Sequence, residues 1–241
     1  MTYIETLMDV FNGEKPSEYF YQLYEKGELE TKHPEIYALI QCEQNPEHHP
    51  EGNAFVHVMQ VVDIMCASAI HFSKEQRAIA GFMGLHHDDG KAITKGVNKE
   101  GQPNYLQHEK KGVPIIEQVA EREGVSQEHP WILYAKFAAK NHMKMHLLFQ
   151  MKEAKLLRFM METYQYGEEM MELMAFISKA DDYGRQKENF DSKKEAMRSH
   201  RLSEFWLMLH EDFLNDGIYD IENEQERLKK AIPLIKKRKY Q

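Results

Sequence analysis

The chain has 241 residues, of which 42% are hydrophobic and 29% charged, with a formal net charge of -8 and a pI near 5.9. This acidic balance argues against a broad nucleic-acid interface, which needs a basic face, and favours a small or short substrate. No apolar run approaches the roughly 18 to 20 residues of a membrane-spanning helix, and the first residues lack a signal-peptide pattern. We therefore expect a cytoplasmic protein with no membrane partner, and we draw no inference about its oligomeric state.

Helix is predicted along most of the chain, because Leu, Met, Ala, Glu and Lys dominate and apolar residues recur at three-to-four spacing. Residues 1–44 predict two or three short helices. Residues 132–164 contain no Pro or Gly and predict one long helix or two abutting ones. No alternation typical of strands is present. The predicted fold class is all-α, a compact helical bundle.

Three parts are predicted: an N-terminal helical lead-in at 1–44, a central domain at 45–189 and a C-terminal helical extension at 190–241. The turn residues between Asn45 and Gly52 separate the first two parts, and a rise in charge density marks the third. The extension ends in a short basic cluster within residues 229–239, which we interpret as a solvated surface because short basic runs usually are.

Four consecutive titratable side chains follow the apolar run 78–83: the stretch GLHHDDGK contains His86, His87, Asp88 and Asp89. Such a stretch is either a polar helix end or part of a metal site. A divalent ion needs more than two protein ligands, so a metal site requires partners on other helices.

Candidate partners interrupt two other apolar helical runs. His57 lies within AFVHVMQVV, and Asp181 follows the apolar run 170–180. A buried polar group without a partner is costly, so each needs one. Taken singly, a core histidine bonded to the backbone is the better explanation. The occurrence of His57, the His87–Asp88 pair and Asp181 on three separate predicted helices instead favours a shared metal ion.

A second candidate set consists of His108, at a predicted helix start, and His142 with His146. The latter two have i, i+4 spacing and therefore share a helix face. His146 precedes an apolar stretch, so it either addresses the site or only caps it. The sequence has no nucleophile elbow, phosphate-binding loop or dinucleotide motif, and Cys42 and Cys66 form no CxxC pair. Serine or cysteine nucleophile chemistry therefore has no support.

Five ordered blocks resemble the HD-domain phosphohydrolase superfamily, and most closely the C-terminal HD domain of bacterial CCA-adding tRNA nucleotidyltransferases. The resemblance covers about residues 45–185. The order of the blocks makes it specific, whereas a His-Asp pair alone would be weak. The blocks are NPEHHPEGNAFVHVMQVVD (45–63), GLHHDDGKAIT (84–94), QHEKKGVPIIEQVAER (107–122), NHMKMH (141–146) and KADDYGR (179–185).

The resemblance implies that residues 45–189 form an HD phosphohydrolase domain with one or two divalent metal ions, for which Mn, Ni, Co, Mg and Fe are candidates. It implies phosphomonoesterase or phosphodiesterase activity on nucleotide phosphoesters, such as 2',3'-cyclic nucleotides or nucleoside phosphates. His57, His87, Asp88 and Asp181 would hold the first metal; His108 and His142 would hold a second, with Asp88 bridging.

The expected mechanism is attack on phosphorus by a metal-activated hydroxide that Asp88 or Asp181 orients. Lys91 would contact a phosphate oxygen as a point charge, although an ordinary helix-end lysine explains it equally well. His146 would border the substrate. The predicted catalytic residues are thus Asp88, Lys91 and Asp181, and the predicted substrate-binding residues are Lys91 and His146.

Two departures from the family matter. The sequence lacks the Gly-Ser motif and Asp-x-Asp pair of the nucleotidyltransferase head, so we do not predict CCA addition. His86 and Asp89 stand where the family usually carries apolar residues, and their role stays open. The alternative function is a metal-stabilised helical module that binds RNA or nucleotides without catalysis; the acidic balance and the complete ligand set favour the enzyme.

Overall fold

A computed structural model describes residues 1–185 and 192–240. Within this part of the chain the regular structure is almost entirely helical. The α-helices are α1 Tyr3–Phe11, α2 Ser17–Glu25, α3 Leu29–Lys32, α4 Pro34–Ala38, α5 Ala54–Ser68, α6 Lys74–His86, α7 Lys91–Thr94, α8 His108–Arg122, α9 Pro130–Met145, α10 Glu153–Tyr164, α11 Glu168–Tyr183, α12 Ser192–Asn215 and α13 Glu224–Lys239. Single 3₁₀ turns occupy Leu39–Gln41 and Leu148–Gln150, and a short antiparallel hairpin pairs β1 Gly96–Val97 with β2 Pro103–Asn104.

The all-α prediction is confirmed, with differences in detail. The segment 132–164 is divided between α9 and α10, which a 3₁₀ turn separates. The segment 1–44 contains four short helices rather than two or three. The hairpin was not predicted, since two-residue strands are too short to show an alternating pattern.

Four helices enclose the centre of the molecule. Helix α5 packs against α6 and α11, and α9 packs against the same two helices. Their facing sides are apolar and fully buried, with Val58, Phe82, Ala138 and Ile177 as representatives. Helix α1 covers α6, α8 covers α9, and α12 covers α11. The first turn of α5 and the last turns of α6, α9 and α11 lie at the same end of this bundle, where polar side chains converge.

Helix caps determine where the site-bearing helices begin. The Asn53 side chain accepts the Val56 N–H at 3.0 Å, so α5 starts immediately after it and His57 falls in the first turn. Ser73 and Gln76 form a reciprocal capping box at the start of α6. From that start, α6 runs to His86, so that His87 and Asp88 occupy the turn that follows.

Gly90 allows a close approach between that turn and the start of α8. A Cβ atom at this position would lie 2.0 Å from the carbonyl oxygen of His108 and 2.7 Å from the amide nitrogen of Gly112. Only glycine permits this contact without a backbone shift. The approach brings His108, the first residue of α8, to the side of Asp88.

The predicted boundary at residues 189 and 190 lies outside the described residues, and the division into three parts stays a prediction. Helix α12 is attached to the central helices, since the Trp206 indole donates to the Met171 carbonyl at 2.8 Å. In the basic C-terminal cluster, Arg238 pairs with Asp212 at 2.6 Å. None of the helices described here combines the length and apolarity needed to cross a membrane.

Candidate metal centre

All six predicted metal ligands come together at the polar end of the bundle. Each is buried, the most exposed being His108 at 8%. They derive from five helices or helix ends, and none is adjacent to another in the chain except His87 and Asp88. The two residues predicted to contact substrate, Lys91 and His146, also lie here.

Asp88 lies at the middle of the group. Its Oδ2 atom is 3.3 Å from Nε2 of His87 and 3.9 Å from Nε2 of His57. Its Oδ1 atom is 3.3 Å from Nε2 of His108 and 3.7 Å from Nε2 of His142. Each carboxylate oxygen therefore faces two imidazoles, and the side chain divides the cluster into two halves.

The backbone fixes the proton positions on three of these imidazoles. His87, His108 and His142 each place Nδ1 against the carbonyl oxygen three residues earlier, at 2.8, 2.7 and 2.9 Å. A carbonyl oxygen only accepts, so Nδ1 must carry the proton and donate it. In the neutral rings Nε2 is then left with a lone pair directed towards Asp88.

The unprotonated Nε2 atoms of these histidines, which are hydrogen-bond acceptors, consequently face other acceptors. Nε2 of His108 lies 3.2 Å from Nε2 of His142. Burial, and then the neighbouring imidazoles, lower the pKa of His142 to about 3, so this ring is neutral near pH 7. The buried Nε2 of His87 has no hydrogen-bond partner among the described residues. Lone pairs directed at one another and at a carboxylate fit a cation between them.

The same arrangement appears in the distances between possible ligand atoms. In each of three trios these atoms lie within 4.8 Å of one another: His57–His87–Asp88, Asp88–His108–His142 and His49–Glu51–His57. These groups could hold a metal ion. Asp88 belongs to the first two, so both halves of the cluster share its carboxylate.

The third trio is better explained as support for His57. Glu51 Oε1 lies 3.0 Å from His57 Nδ1 and 2.7 Å from His49 Nδ1. Burial opposes ionisation of Glu51, but these two imidazoles lower its pKa to about 2. A carboxylate behind a histidine favours the proton at Nδ1 and directs the other nitrogen towards the site. His57 Nε2 indeed lies 3.0 Å from Asp181 Oδ1.

Asp181 lies beside His57 at the edge of the cluster. Its Oδ2 accepts a hydrogen bond from His146 Nε2 at 2.7 Å, and its Oδ1 lies 3.3 Å from the Arg185 guanidinium. Burial would raise the pKa of Asp181, but Arg185, His146 and His57 hold it well below its ordinary value. His146 thus contacts a predicted ligand directly.

Lys91 supplies positive charge next to Asp88. Its Nζ atom lies 2.7 Å from Asp88 Oδ2 and donates to Gln44 Oε1 at 2.6 Å. Burial would raise the pKa of Asp88, but Lys91 and the surrounding imidazoles hold it well below the ordinary range. The Lys91 side chain is only 8% exposed, unlike a solvated lysine at a helix end.

An open pocket of about 320 Å³ leads to these groups. This volume lies at the lower end of the range for small-molecule sites. Its lining combines anionic, cationic and imidazole side chains, including Asp88, Lys91, His108, His142, Asp181 and Arg185.

Four contributors were missed by the sequence reasoning, and the first of them is His49, which contacts Glu51. Glu51 lies in a turn, where no periodicity marks it, and Gln44 reaches Lys91 across 47 positions of the chain. Arg185 offered a readable signal, because it follows Asp181 at i, i+4 on a predicted helix.

Comparison with known proteins finds bacterial relatives. No family model matches the sequence. The chain is similar to the Multifunctional CCA protein of several bacteria. It is 29% identical to that of Xanthomonas campestris pv. campestris (strain B100) over 182 residues, which are 75% of this chain and 42% of the relative. It is 32% identical to that of Acinetobacter baumannii (strain AYE) over 142 residues, which are 59% of this chain and 32% of the relative.

The chain thus spans less than half the length of these relatives. The aligned similarity together with the buried His/Asp cluster supports a helical domain with the capacity to bind metal.

Proposed function

We propose that the protein is a metal-dependent phosphohydrolase that acts on nucleotide phosphoesters, such as 2',3'-cyclic nucleotides or nucleoside phosphates. The observation that carries this proposal is the position of Asp88, whose two oxygens each face two imidazole nitrogens at the floor of an open pocket. The resemblance to HD-domain enzymes and the similarity to Multifunctional CCA proteins support the same function.

The ligands fall into two sets that share Asp88. One set consists of His57, His87, Asp88 and Asp181, and the other of Asp88, His108 and His142. Imidazole and carboxylate donors suit Mn, Ni, Co, Fe or Mg, and the absence of cysteine from the set disfavours a closed structural zinc cage. A divalent ion bound here would lower the pKa of a water molecule and polarise a phosphoryl oxygen.

The chain's own side chains bind and orient the substrate. Lys91 lines the pocket and can exchange its contact with Asp88 for a contact with a phosphate oxygen, as a flexible point charge. His146 Nε2 donates a hydrogen bond of 2.7 Å to Asp181 Oδ2, which fixes the orientation of that carboxylate. The ligand carboxylates of Asp88 and Asp181 orient the attacking water.

The experiment is hydrolysis by metal-stripped protein that is re-supplied separately with Mn, Ni, Co, Mg and Zn. The substrates are 2',3'-cyclic AMP and a panel of nucleoside mono- and triphosphates. We expect turnover only with added metal and none with Asp88→Ala, whereas Glu47→Gln, on the exposed surface, keeps wild-type activity.

Metal-stripped protein that retains full turnover, or wild-type protein inactive with every metal, would overturn the proposal. Salt-dependent RNA binding by an inactive protein would instead support the non-catalytic binding module.

A further inference from the structure

A second His–Asp pair lies directly beside the candidate metal centre. His86 and Asp89 flank the His87–Asp88 pair in the sequence, and both are completely buried. Nδ1 of His86 lies 2.7 Å from Oδ2 of Asp89. Neither residue lines the pocket. The pair therefore lies within the turn after α6, on the side that faces away from the pocket.

Polar atoms around this pair lack partners among the described residues. His86 Nε2 and Asp89 Oδ1 are buried without a hydrogen bond, as are the Tyr3 hydroxyl and His33 Nδ1. An unsatisfied buried donor or acceptor costs about as much free energy as a lost hydrogen bond. Ordered water is the usual ligand of such groups. A metal ion is disfavoured, because the described donor atoms here do not form a trio within 4.8 Å, as those of the metal centre do.

The side chains that carry these atoms belong to one neighbourhood. The Phe82 ring lies 4.3 Å from the His86 ring and 6.4 Å from the Tyr3 ring, and Tyr3 lies 5.8 Å from His33. Burial raises the pKa of the Tyr3 hydroxyl, and the carboxylates of Glu35 and Asp89 raise it further. The N-terminal helices α1 and α4 therefore contribute polar groups to the inner side of the metal-binding turn.

An ion pair links this neighbourhood to the surface. Arg122 on α8 donates two hydrogen bonds to the Glu35 carboxylate, at 2.7 and 3.2 Å. Glu35 is itself almost fully buried, whereas the Arg122 side chain is 34% exposed. Helix α4 of the lead-in and α8 are thus joined by an ion pair close to this neighbourhood.

We propose that His86, Asp89 and the unpaired atoms of Tyr3 and His33 form a water-containing positioning network, which fixes the turn carrying His87 and Asp88. This inference rests on the proposed metal ligation by His87 and Asp88. His86 and Asp89 touch neither the pocket nor the facing lone pairs, so they act through the backbone of the turn. Metal affinity is then the property that they control.

The test measures binding of Mn²⁺ alone by titration calorimetry, together with urea unfolding of the metal-free protein. Supporting residues around metal ligands typically change affinity by about 10- to 100-fold, and we expect a weakening of this size for Asp89→Ala. Asp89→Asn keeps an oxygen that accepts a hydrogen bond from His86 Nδ1. Its affinity for Mn²⁺ should therefore be within about threefold of that of the wild type. Thr163→Val is the matched control, since it removes a buried side-chain hydrogen bond of 2.8 Å on the distant helix α10.

Asp89→Ala that loses stability like the control but binds Mn²⁺ as tightly as wild type would overturn the inference. If Asp89→Ala does not fold, His86→Gln serves in the same comparison. Wild-type protein that binds Mn²⁺ but hydrolyses no nucleotide would contradict the proposed function and leave this comparison intact. Wild-type protein that binds no Mn²⁺ would overturn this inference, whereas the proposed function is overturned only if no added metal restores hydrolysis.

Discussion

The two nested His–Asp pairs have the same side chains and opposite surroundings. Asp88 lines a pocket, and Nε2 of the buried His87 is directed at its carboxylate, so that ring nitrogens and carboxylate oxygens point at one another without protons between them. His86 and Asp89 are hydrogen-bonded to each other and fully enclosed. Chemical composition alone therefore does not decide which pair can hold a metal.

Helical geometry decides it instead. Successive residues at the end of α6 are rotated by about 100°, so positions three apart return to nearly the same face. His86 and Asp89 therefore meet on the core side, where each supplies the partner that the other requires. His87 and Asp88 lie between them and are directed to the other side, towards imidazoles from α5, α8 and α9.

Among the substitutions considered, Gly90→Ala should have the largest effect, and it should act on the His87–Asp88 pair. A Cβ atom 2.0 Å from the His108 carbonyl oxygen forces the turn and α8 apart. Because a shift of about 1 Å in a reacting group can cost about 100-fold, we expect hydrolysis to fall by at least that factor. Gly13→Ala is the control, since its nearest backbone atom would be 3.1 Å away and far from the site. A Gly90→Ala enzyme with unchanged kcat/KM would show that the close approach has no role.

Glu51→Gln tests whether the contact of Glu51 with His57 supports the candidate metal centre. The substitution removes the charge that favours the proton at His57 Nδ1, so Nε2 becomes a poorer ligand. We expect metal affinity to weaken by about 10- to 100-fold, measured by competition with a chromogenic chelator. Glu47→Gln changes an exposed carboxylate in the same turn and should leave affinity unaltered. Equal affinity in both variants would contradict the role of Glu51.

The sequence singled out His57 and Asp181 as candidate metal ligands because they lie within or directly after apolar helical runs, where a polar group must have a partner. Ligation of a metal by these residues stays a prediction. The same reasoning could not find Glu51, because a turn residue has no periodicity. Nor could it assign His86 and Asp89: their i, i+3 spacing was visible, but which face of α6 is buried depends on α1 and α9. Roles such as catalysis by Lys91 or substrate contact by His146 stay predictions, since proximity alone does not establish them.

For 132–164 the sequence left open one long helix or two abutting ones, and the place of the interruption was equally inaccessible. Helix α9 ends at Met145 without Pro or Gly, and His146, its C-cap, is hydrogen-bonded to Asp181 on α11. A contact across 35 positions of the chain is therefore associated with the interruption, which local propensity does not indicate.

His33→Gln probes the enclosed neighbourhood through acid stability. Burial lowers the pKa of His33 to about 4, and the nearby Glu35 offsets this only in part. The unfolded chain binds a proton near pH 6.5 while the folded chain does not, so stability present above that pH is lost as the pH falls towards 4. This histidine should account for about 2 kcal/mol of the loss between pH 7 and pH 5.

The measurement is the urea midpoint of metal-free protein at both pH values. His33→Gln should flatten the dependence, although His49 and His142, whose pKa values are also depressed, will leave part of it. His71→Gln is the control, because the His71 side chain is 54% exposed. If the urea midpoint of His33→Gln changes between the two pH values as much as that of the wild type, the assignment of this histidine to a buried, neutral state is contradicted.

Tyr3→Phe should have the smallest effect, and its sign distinguishes a water-containing inner neighbourhood from a dry one. In a dry interior the Tyr3 hydroxyl is an unpaired polar group, so its removal should stabilise the protein or leave it unchanged. If water bonds the hydroxyl, the variant leaves that water short of a partner and should be destabilised by about 1 kcal/mol. Tyr24→Phe, at a side chain 48% exposed, corrects for the general effect of losing a hydroxyl. Because the network we propose contains water, we expect a lower urea midpoint for Tyr3→Phe than for Tyr24→Phe; the reverse order would mean that His86 and Asp89 satisfy only each other.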